Sequence, residues 1–285
     1  MHYTFEPYVS VKPRCGHLRI GGENPQGERI DANSQYLTRG GKPWTPVMGE
    51  FHFSRYAREG WYDELCKMKA GGITVVSVYA FWIHHEEIEG QFDFTGSKDL
   101  RSFVLEARRA GLEVFLRPGP WCHGEVRNGG FPDWLVNKPF QKRANDPQYL
   151  ACVRRLFEQY AAQLRGLWYK DGGPVIGMQI ENELTQNPEH LRTLKEIAIE
   201  CGMDVPLYTA TGWNGDVGAM IPEDELIPMF GDYCDEPWNV SLLPLPPVVG
   251  YFFTRCRTIS NGIGSDLLPP PAEDGAWRLP YERYP

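Results

Sequence analysis

No apolar run in the 285 residues approaches the roughly 18 consecutive residues that a membrane-spanning helix needs. The first residues, Met1-His2-Tyr3-Thr4-Phe5-Glu6-Pro7, carry neither a basic stretch nor an apolar core of the kind found in secretory signals. The expected location is therefore cytoplasmic. A basic excess is missing as well. Lys+Arg 29 against Asp+Glu 37 leaves a net charge of −8, which argues against a phosphate backbone as partner. No basic amphipathic segment suggests docking on an anionic membrane. No CxxC pair occurs among the seven scattered cysteines, Cys15, Cys66, Cys122, Cys152, Cys201, Cys234 and Cys256. They read as small core hydrophobes in a reducing compartment rather than as zinc ligands or a disulfide framework. No internal repeat is visible, which excludes a solenoid.

What is present is ordinary for a globular protein: 42% hydrophobic and 23% charged residues, enough chain for one barrel-sized domain or two smaller ones. Aromatics reach 13%, which suits a site with flat apolar walls as well as a large core. Residues 1–44 are rich in Gly, Pro, Asn and charge, and predict a strand-rich lead-in with short runs at 17–20 and 35–38.

Residues 45–285 then alternate strand and helix, the pattern of α/β proteins with a parallel sheet. Strands are predicted at 46–51, 73–81, 113–117, 175–180, 206–210 and 226–230. A helix with Trp61, Leu65 and Met68 on one face stops at Gly71-Gly72. A second is predicted to be capped by Ser97, a third opens at Asp146-Pro147 and a fourth at Asn187-Pro188. The alternation fades after about six repeats into Pro- and Gly-rich chain with short apolar pieces such as 248–253. A (β/α)8 TIM barrel has eight strands. The expectation is thus an α/β chain holding an incomplete (β/α)8 barrel, truncated after about six strands.

In a parallel barrel the catalytic groups gather where strands end on the carboxyl face. Just past the predicted strands lie Glu50 and His52; Tyr79, Phe81 and Trp82; Arg117, Trp121, Cys122, His123, Gly124 and Glu125; and Gln179, Glu181, Asn182 and Glu183. Carboxylates, amides and aromatics at four successive ends suit a polyhydroxylated substrate. Along an extended backbone Glu181 and Glu183 would share one face, with Asn182 opposite or turned inward at a frayed end. A glutamate among apolar walls has its pKa raised by desolvation and suits general-acid work.

His52 reads as a packed histidine with a carboxylate or substrate partner. Trp82, Trp121, Trp134 and Trp213 are candidate walls, some of them expected in the core. Arg117 suits bidentate pairing with a carboxylate or contact with sugar. His84-His85-Glu86 and Cys122-His123 do not converge on an ion, so no metal or other cofactor is expected.

The segments Gly49-Glu50-Phe51-His52, Tyr79-Ala80-Phe81-Trp82, Arg117-Pro118-Gly119-Pro120-Trp121, Gly129-Gly130-Phe131-Pro132-Asp133-Trp134-Leu135 and Gln179-Ile180-Glu181-Asn182-Glu183 together resemble glycoside hydrolase family 35, the β-galactosidases. The resemblance spans roughly residues 40–215. It implies a (β/α)8 catalytic barrel, a terminal β-galactosyl carbohydrate as substrate, and a retaining two-step hydrolysis without metal. By the same resemblance Glu183 corresponds to the acid/base and Asn182 to the residue that bonds the sugar's 2-hydroxyl. Tyr79 and Glu125 correspond to galactose contacts, and Gly124 stands where the family commonly has alanine.

Ile83-His84 and His85-Glu86-Glu87 depart from the family's pattern in a stretch expected at the loop rim, where they would bear on aglycone preference. The family's nucleophile, a glutamate ending the seventh strand, has no match. Glu282, Asp232, Asp235 and Glu236 fit it poorly, so the nucleophile is expected beyond Pro285 and the chain by itself is expected to be nearly inactive. Two alternatives stand beside this reading. One is a sugar-binding module that keeps Tyr79, Glu125 and Asn182 without chemistry. The other is a hydrolase of another β-glycoside, such as a glucosaminide or glucoside.

Overall fold

The computed structural model describes residues 12–213, 220–222 and 224–231. The side chain of Trp213, the run 248–253, and Asp232, Asp235, Glu236 and Glu282 lie outside the described residues. Four short strands come first: β1 (Gly22–Glu23), β2 (Arg29–Ala32), β3 (Leu37–Arg39) and β4 (Lys42–Trp44). They form an antiparallel meander in chain order. Six more follow: β5 (Met48–Glu50), β6 (Val75–Tyr79), β7 (Glu113–Arg117), β8 (Val175–Gln179), β9 (Leu207–Trp213) and β10 (Ile227–Gly231). All six run parallel, each paired with its neighbour in the chain.

That order carries the architecture. Crossovers between parallel strands are almost always right-handed, so an unbroken sequential order sends every connecting helix to the same face and curls the sheet. A doubly wound sheet would instead reverse its strand order at a switch point. The sheet is a curled half-barrel of TIM type, as the alternation predicts. Its connecting helices are α1 (Trp61–Ala70), α3 (Leu100–Arg109), α5 (Pro147–Gln163) and α6 (Pro188–Glu200), with the short α2 (Trp82–His85) and α4 (Asp133–Val136) in the loops. β6 and β8 are buried at every residue, as strands covered on both faces must be.

Helix starts follow local chemistry. Asp146 accepts from the Gln148 N–H at 2.9 Å with Pro147 in the first turn, and Asn187 accepts from the His190 N–H at 3.3 Å ahead of α6. Ser97 does not cap α3. It lies inside a 3-10 turn at Gly96–Lys98, and Asp99 takes its place, accepting from Ser102 N–H at 2.9 Å and Ser102 Oγ at 2.7 Å. Residues 17–20 are not a strand either. The Arg19 and Gly21 N–H groups donate to the carbonyls of Asp224 (2.6 Å) and Pro206 (2.7 Å), which tie this segment to the approaches of β10 and β9. With Arg39 paired to Glu113 at 2.8 Å and Tyr169 Oη donating to the Glu28 carbonyl at 2.8 Å, the meander sits at the amino ends of the barrel strands. The opposite rim is left uncovered by it.

At the centre of the sheet Gly177 stands opposite Phe115 of the neighbouring strand. A Cβ there would lie 2.2 Å from the Phe115 ring, so the glycine is required by contact rather than by backbone angle. Gly177→Ala is expected to lower stability by about 1–3 kcal/mol through overpacking. Combining it with Phe115→Leu should recover part of the loss in urea titrations, whereas an unperturbed midpoint for Gly177→Ala alone would contradict the packing.

Candidate active site

Parallel strands deliver their last residues to one rim, and four of them meet through a single side chain. Tyr79 and Arg117 face each other in register at the ends of β6 and β7. The Arg117 guanidinium lies 3.8 Å over the Tyr79 ring, pairs with the Glu50 carboxylate at the end of β5 through Nη1, and donates from Nη2 to Asn182 Oδ1 at 3.0 Å. Glu50 also bonds His52 Nε2 at 2.6 Å, and His52 Nδ1 meets Arg55 Nη1 at 3.0 Å. His52 is thus a packed, partnered histidine. Burial acts to raise the Glu50 pKa, but His52 and Arg117 together outweigh it and hold the carboxyl below its usual value.

After Gln179 the chain leaves the extended conformation. Glu181 and Glu183 both adopt positive φ, 60° and 52°, a region that costs L-residues roughly 1–2 kcal/mol each. Alternation therefore fails here, and the two glutamates part company instead of sharing a face. Glu181 turns into the protein, its side chain fully buried, and pairs with Arg143 Nη2 at 2.7 Å. Arg143 also donates to the Asn182 carbonyl at 2.6 Å and lies 5.0 Å over the Trp121 ring. The Glu181 carboxylate accepts in addition from the Asn182 N–H at 2.9 Å, and the Glu181 N–H donates to the Gly119 carbonyl at 2.9 Å. Burial still pushes the Glu181 carboxyl up, against the pull of Arg143.

Glu183 is left half-buried. Its N–H donates to Thr211 Oγ1 at 3.1 Å, and no described residue donates to its carboxylate. It lies near enough to Tyr79 to act on the phenol. Burial raises the Tyr79 pKa well above the usual tyrosine range, Arg117 opposes, and the negative charges of Glu50 and Glu183 reinforce the rise. The Tyr79 hydroxyl has no partner among the described residues.

Asn182 is buried, its Oδ1 accepting from Arg117, from Gln179 Nε2 at 2.9 Å and from Thr211 Oγ1 at 3.3 Å. Gly124, buried at φ 54°, backs onto the stacked Tyr79 and Phe81 rings. A Cβ there would lie 2.9 Å from Phe81, which accounts for glycine where the resemblance expects alanine. Its carbonyl accepts from Arg55 Nη2 at 2.8 Å. Glu125, next along, is exposed. The structure thus brings Tyr79, Gly124, Asn182 and Glu183 to one rim, with Glu125 at its edge.

The segment 83–87 is largely enclosed instead of lying open at a loop rim, with His84 half-buried and Glu87 exposed. Ile83, His85 and Glu86 are buried. The Glu86 carboxylate accepts from Trp82 Nε1 at 2.6 Å, the Gly90 N–H at 2.7 Å and Arg155 Nη2 at 2.6 Å. Trp134 Nε1 donates to the Glu86 backbone carbonyl at 2.9 Å, so Trp82 holds the carboxylate of this residue and Trp134 its main chain. Cys122 is fully buried and its thiol pushed up by desolvation. Among the described residues no group of three or more His, Cys, Asp or Glu could hold a metal ion, and no helix is long and apolar enough to cross a membrane.

Arg143 and Thr211 escape a reading of the sequence. Arg143 lies 38 residues before Glu181 in an irregular loop and has no local signature. Thr211 had a faint one, since Thr209 and Thr211 alternate along a strand otherwise made of apolar and small residues.

Six parallel strands in chain order, with carboxylates, an oriented amide and aromatic rings at their carboxyl ends, define a barrel of the glycosidase type. The chain belongs to the glycosyl hydrolases family 35, whose sequence model matches residues 36–241. It is 37% identical over 191 residues to a beta-galactosidase of Canis lupus familiaris, covering 65% of this chain and 29% of that protein. It is 36% identical over 192 residues to a beta-galactosidase of Xanthomonas manihotis (66% and 32%) and 36% identical over 189 residues to one of Homo sapiens (64% and 28%). The chain spans about three tenths of the length of these curated relatives.

Two histidines behind the rim, His85 and His190, are completely buried, and desolvation lowers each to about 4 from 6.5. Between those values the unfolded chain binds more protons than the folded one. Their contribution to stability is therefore complete above pH 6.5 and lost as the pH falls towards 4, by up to roughly 3 kcal/mol for each. Thermal melts from pH 7 to 4 should show this slope, and His85→Gln or His190→Gln should flatten it; a slope in both variants as steep as that of the unmodified chain would contradict the assignment.

Proposed function

We propose that this sequence forms part of a retaining exo-β-galactosidase that removes terminal β-galactosyl residues from carbohydrates. The observation that carries the reading is the placement of Glu183: half-buried, its carboxylate unclaimed by any described residue, beside Tyr79 and directly after the oriented amide of Asn182. Family membership and the beta-galactosidase relatives support the substrate class.

In the first step Glu183 gives its proton to the glycosidic oxygen as the bond from that oxygen to the anomeric carbon breaks. A carboxylate then bonds to the anomeric carbon. In the second step Glu183 takes a proton from water, the water oxygen bonds to the anomeric carbon, and the ester to the enzyme breaks. The attacking carboxylate has to lie about 5–5.5 Å from Glu183. Glu50 is engaged by Arg117 and His52, and Glu181 is enclosed by Arg143, so we assign the attack to a residue outside the described ones. Asn182 would donate to the 2-hydroxyl, Tyr79 and Glu125 would meet the other galactose hydroxyls, and Gly124 would keep the Tyr79–Phe81 floor clear.

The test is Glu183→Ala in the protein that carries both this sequence and its attacking carboxylate. Hydrolysis of an unactivated β-galactoside should fall by about 10²–10⁴-fold. An activated 4-nitrophenyl β-galactoside should suffer less, and azide should restore turnover by yielding the β-galactosyl azide. A loss under about tenfold on the unactivated substrate would contradict the role. Hydrolysis of β-glucosides or β-glucosaminides in preference to β-galactosides would contradict the substrate.

A further inference from the structure

Three donors from three different strands converge on one atom, Asn182 Oδ1: Arg117 Nη2 from β7 at 3.0 Å, Gln179 Nε2 from β8 at 2.9 Å and Thr211 Oγ1 from β9 at 3.3 Å. A guanidinium has no acceptor, so whatever faces Arg117 has to be the amide oxygen and not its nitrogen. Gln179 is itself fixed, because its Nε2 also donates to the Glu181 carbonyl at 2.7 Å. Thr211 is fixed by accepting the Glu183 N–H at 3.1 Å, which leaves its hydroxyl proton for Asn182. Turning the amide over would set its NH2 against the guanidinium and break all three bonds. Asn182 Nδ2 finds no acceptor among the described residues, and it is not among the enclosed polar atoms that lack a partner.

We infer that Arg117, Gln179 and Thr211 are positioning residues that lock the Asn182 amide with its NH2 presented at the rim, so that this point of the site offers donors only. The inference rests on the galactosidase reading and sharpens it. A sugar must place an acceptor against Asn182, and a ligand whose 2-position carries no acceptor loses that bond. Thr211 has a second part. By holding both the Asn182 amide and the Glu183 backbone, it couples the sugar-orienting residue to the proton donor.

The lock is tested in the protein that carries this sequence and its attacking carboxylate, by nuclear magnetic resonance titration with methyl β-galactoside and methyl 2-deoxy-β-galactoside. The quantity read is the ratio of their dissociation constants. The unmodified protein should bind the 2-deoxy sugar roughly five- to tenfold more weakly, the worth of one net hydrogen bond. Gln179→Glu replaces a donor by an acceptor at the same place and should bring the ratio to about twofold or below. Thr211→Val, which keeps the shape and loses the hydroxyl, should give an intermediate ratio, and Thr211→Ser should restore it.

A general weakening that leaves the ratio as in the unmodified protein, in Gln179→Glu and in Thr211→Val alike, would mean a merely structural role and overturns the inference. A ratio near one in the unmodified protein overturns it too. If the unmodified protein, carrying this sequence and its attacking carboxylate, binds neither glycoside, the galactoside reading itself falls. Thermal melts identify folded variants, and Thr211→Val keeps the test decisive if the buried charge of Gln179→Glu prevents folding.

Discussion

The guanidinium of Arg117 is planar, permanently charged and able only to donate, and it stands at the end of β7 among groups that can only be joined by such a donor. It lies on the face of Tyr79, pairs with Glu50 and fixes the oxygen of Asn182. Those three neighbours end or follow β6, β5 and β8. Removing the arginine would leave Glu50 with His52 alone, Tyr79 without its cation and the Asn182 amide with two of its three restraints. At the rim that one side chain joins the ends of four strands, through Glu50, Tyr79 and Asn182.

A second constraint works from below. The turn that presents Asn182 and Glu183 holds two residues at positive φ, and it persists because Arg143, the Gly119 carbonyl and Thr211 grip it from three sides. Strain of this kind is characteristic of sites where a side chain must point away from the direction its strand would choose. It also explains the division of labour between two glutamates two residues apart. Glu181 is enclosed and neutralised by Arg143, and serves as an anchor. Among the described residues Glu183 is held through its backbone alone, which leaves its carboxylate available.

Much of this architecture was legible in the sequence. The β-branched and apolar runs at 73–81 and 113–117 became β6 and β7, and Asp146-Pro147 and Asn187-Pro188 opened helices as their capping chemistry requires. The rim residues were legible too, because parallel strands in chain order deliver their last residues to a common edge. What the sequence hid was long-range. Arg143 meets Glu181 only after α5 folds back, and the burial of Glu86 depends on Arg155 from that same helix. Period-2 alternation misjudged Glu181 and Glu183 because it holds only while the backbone stays extended. Ser97 lost its capping role to Asp99 because a 3-10 turn shifted the start of α3 by two residues.

The most direct measurement is a crystal structure, with galactose bound, of the protein that carries this sequence and its attacking carboxylate. The account expects the sugar at the carboxyl rim, its 2-hydroxyl accepting from Asn182 Nδ2, its anomeric oxygen facing the Glu183 carboxylate, and Arg117 still bridging Glu50 and Asn182 beneath it. A sugar bound elsewhere, or one whose 2-hydroxyl faces the Asn182 oxygen after the amide has turned over, would contradict it.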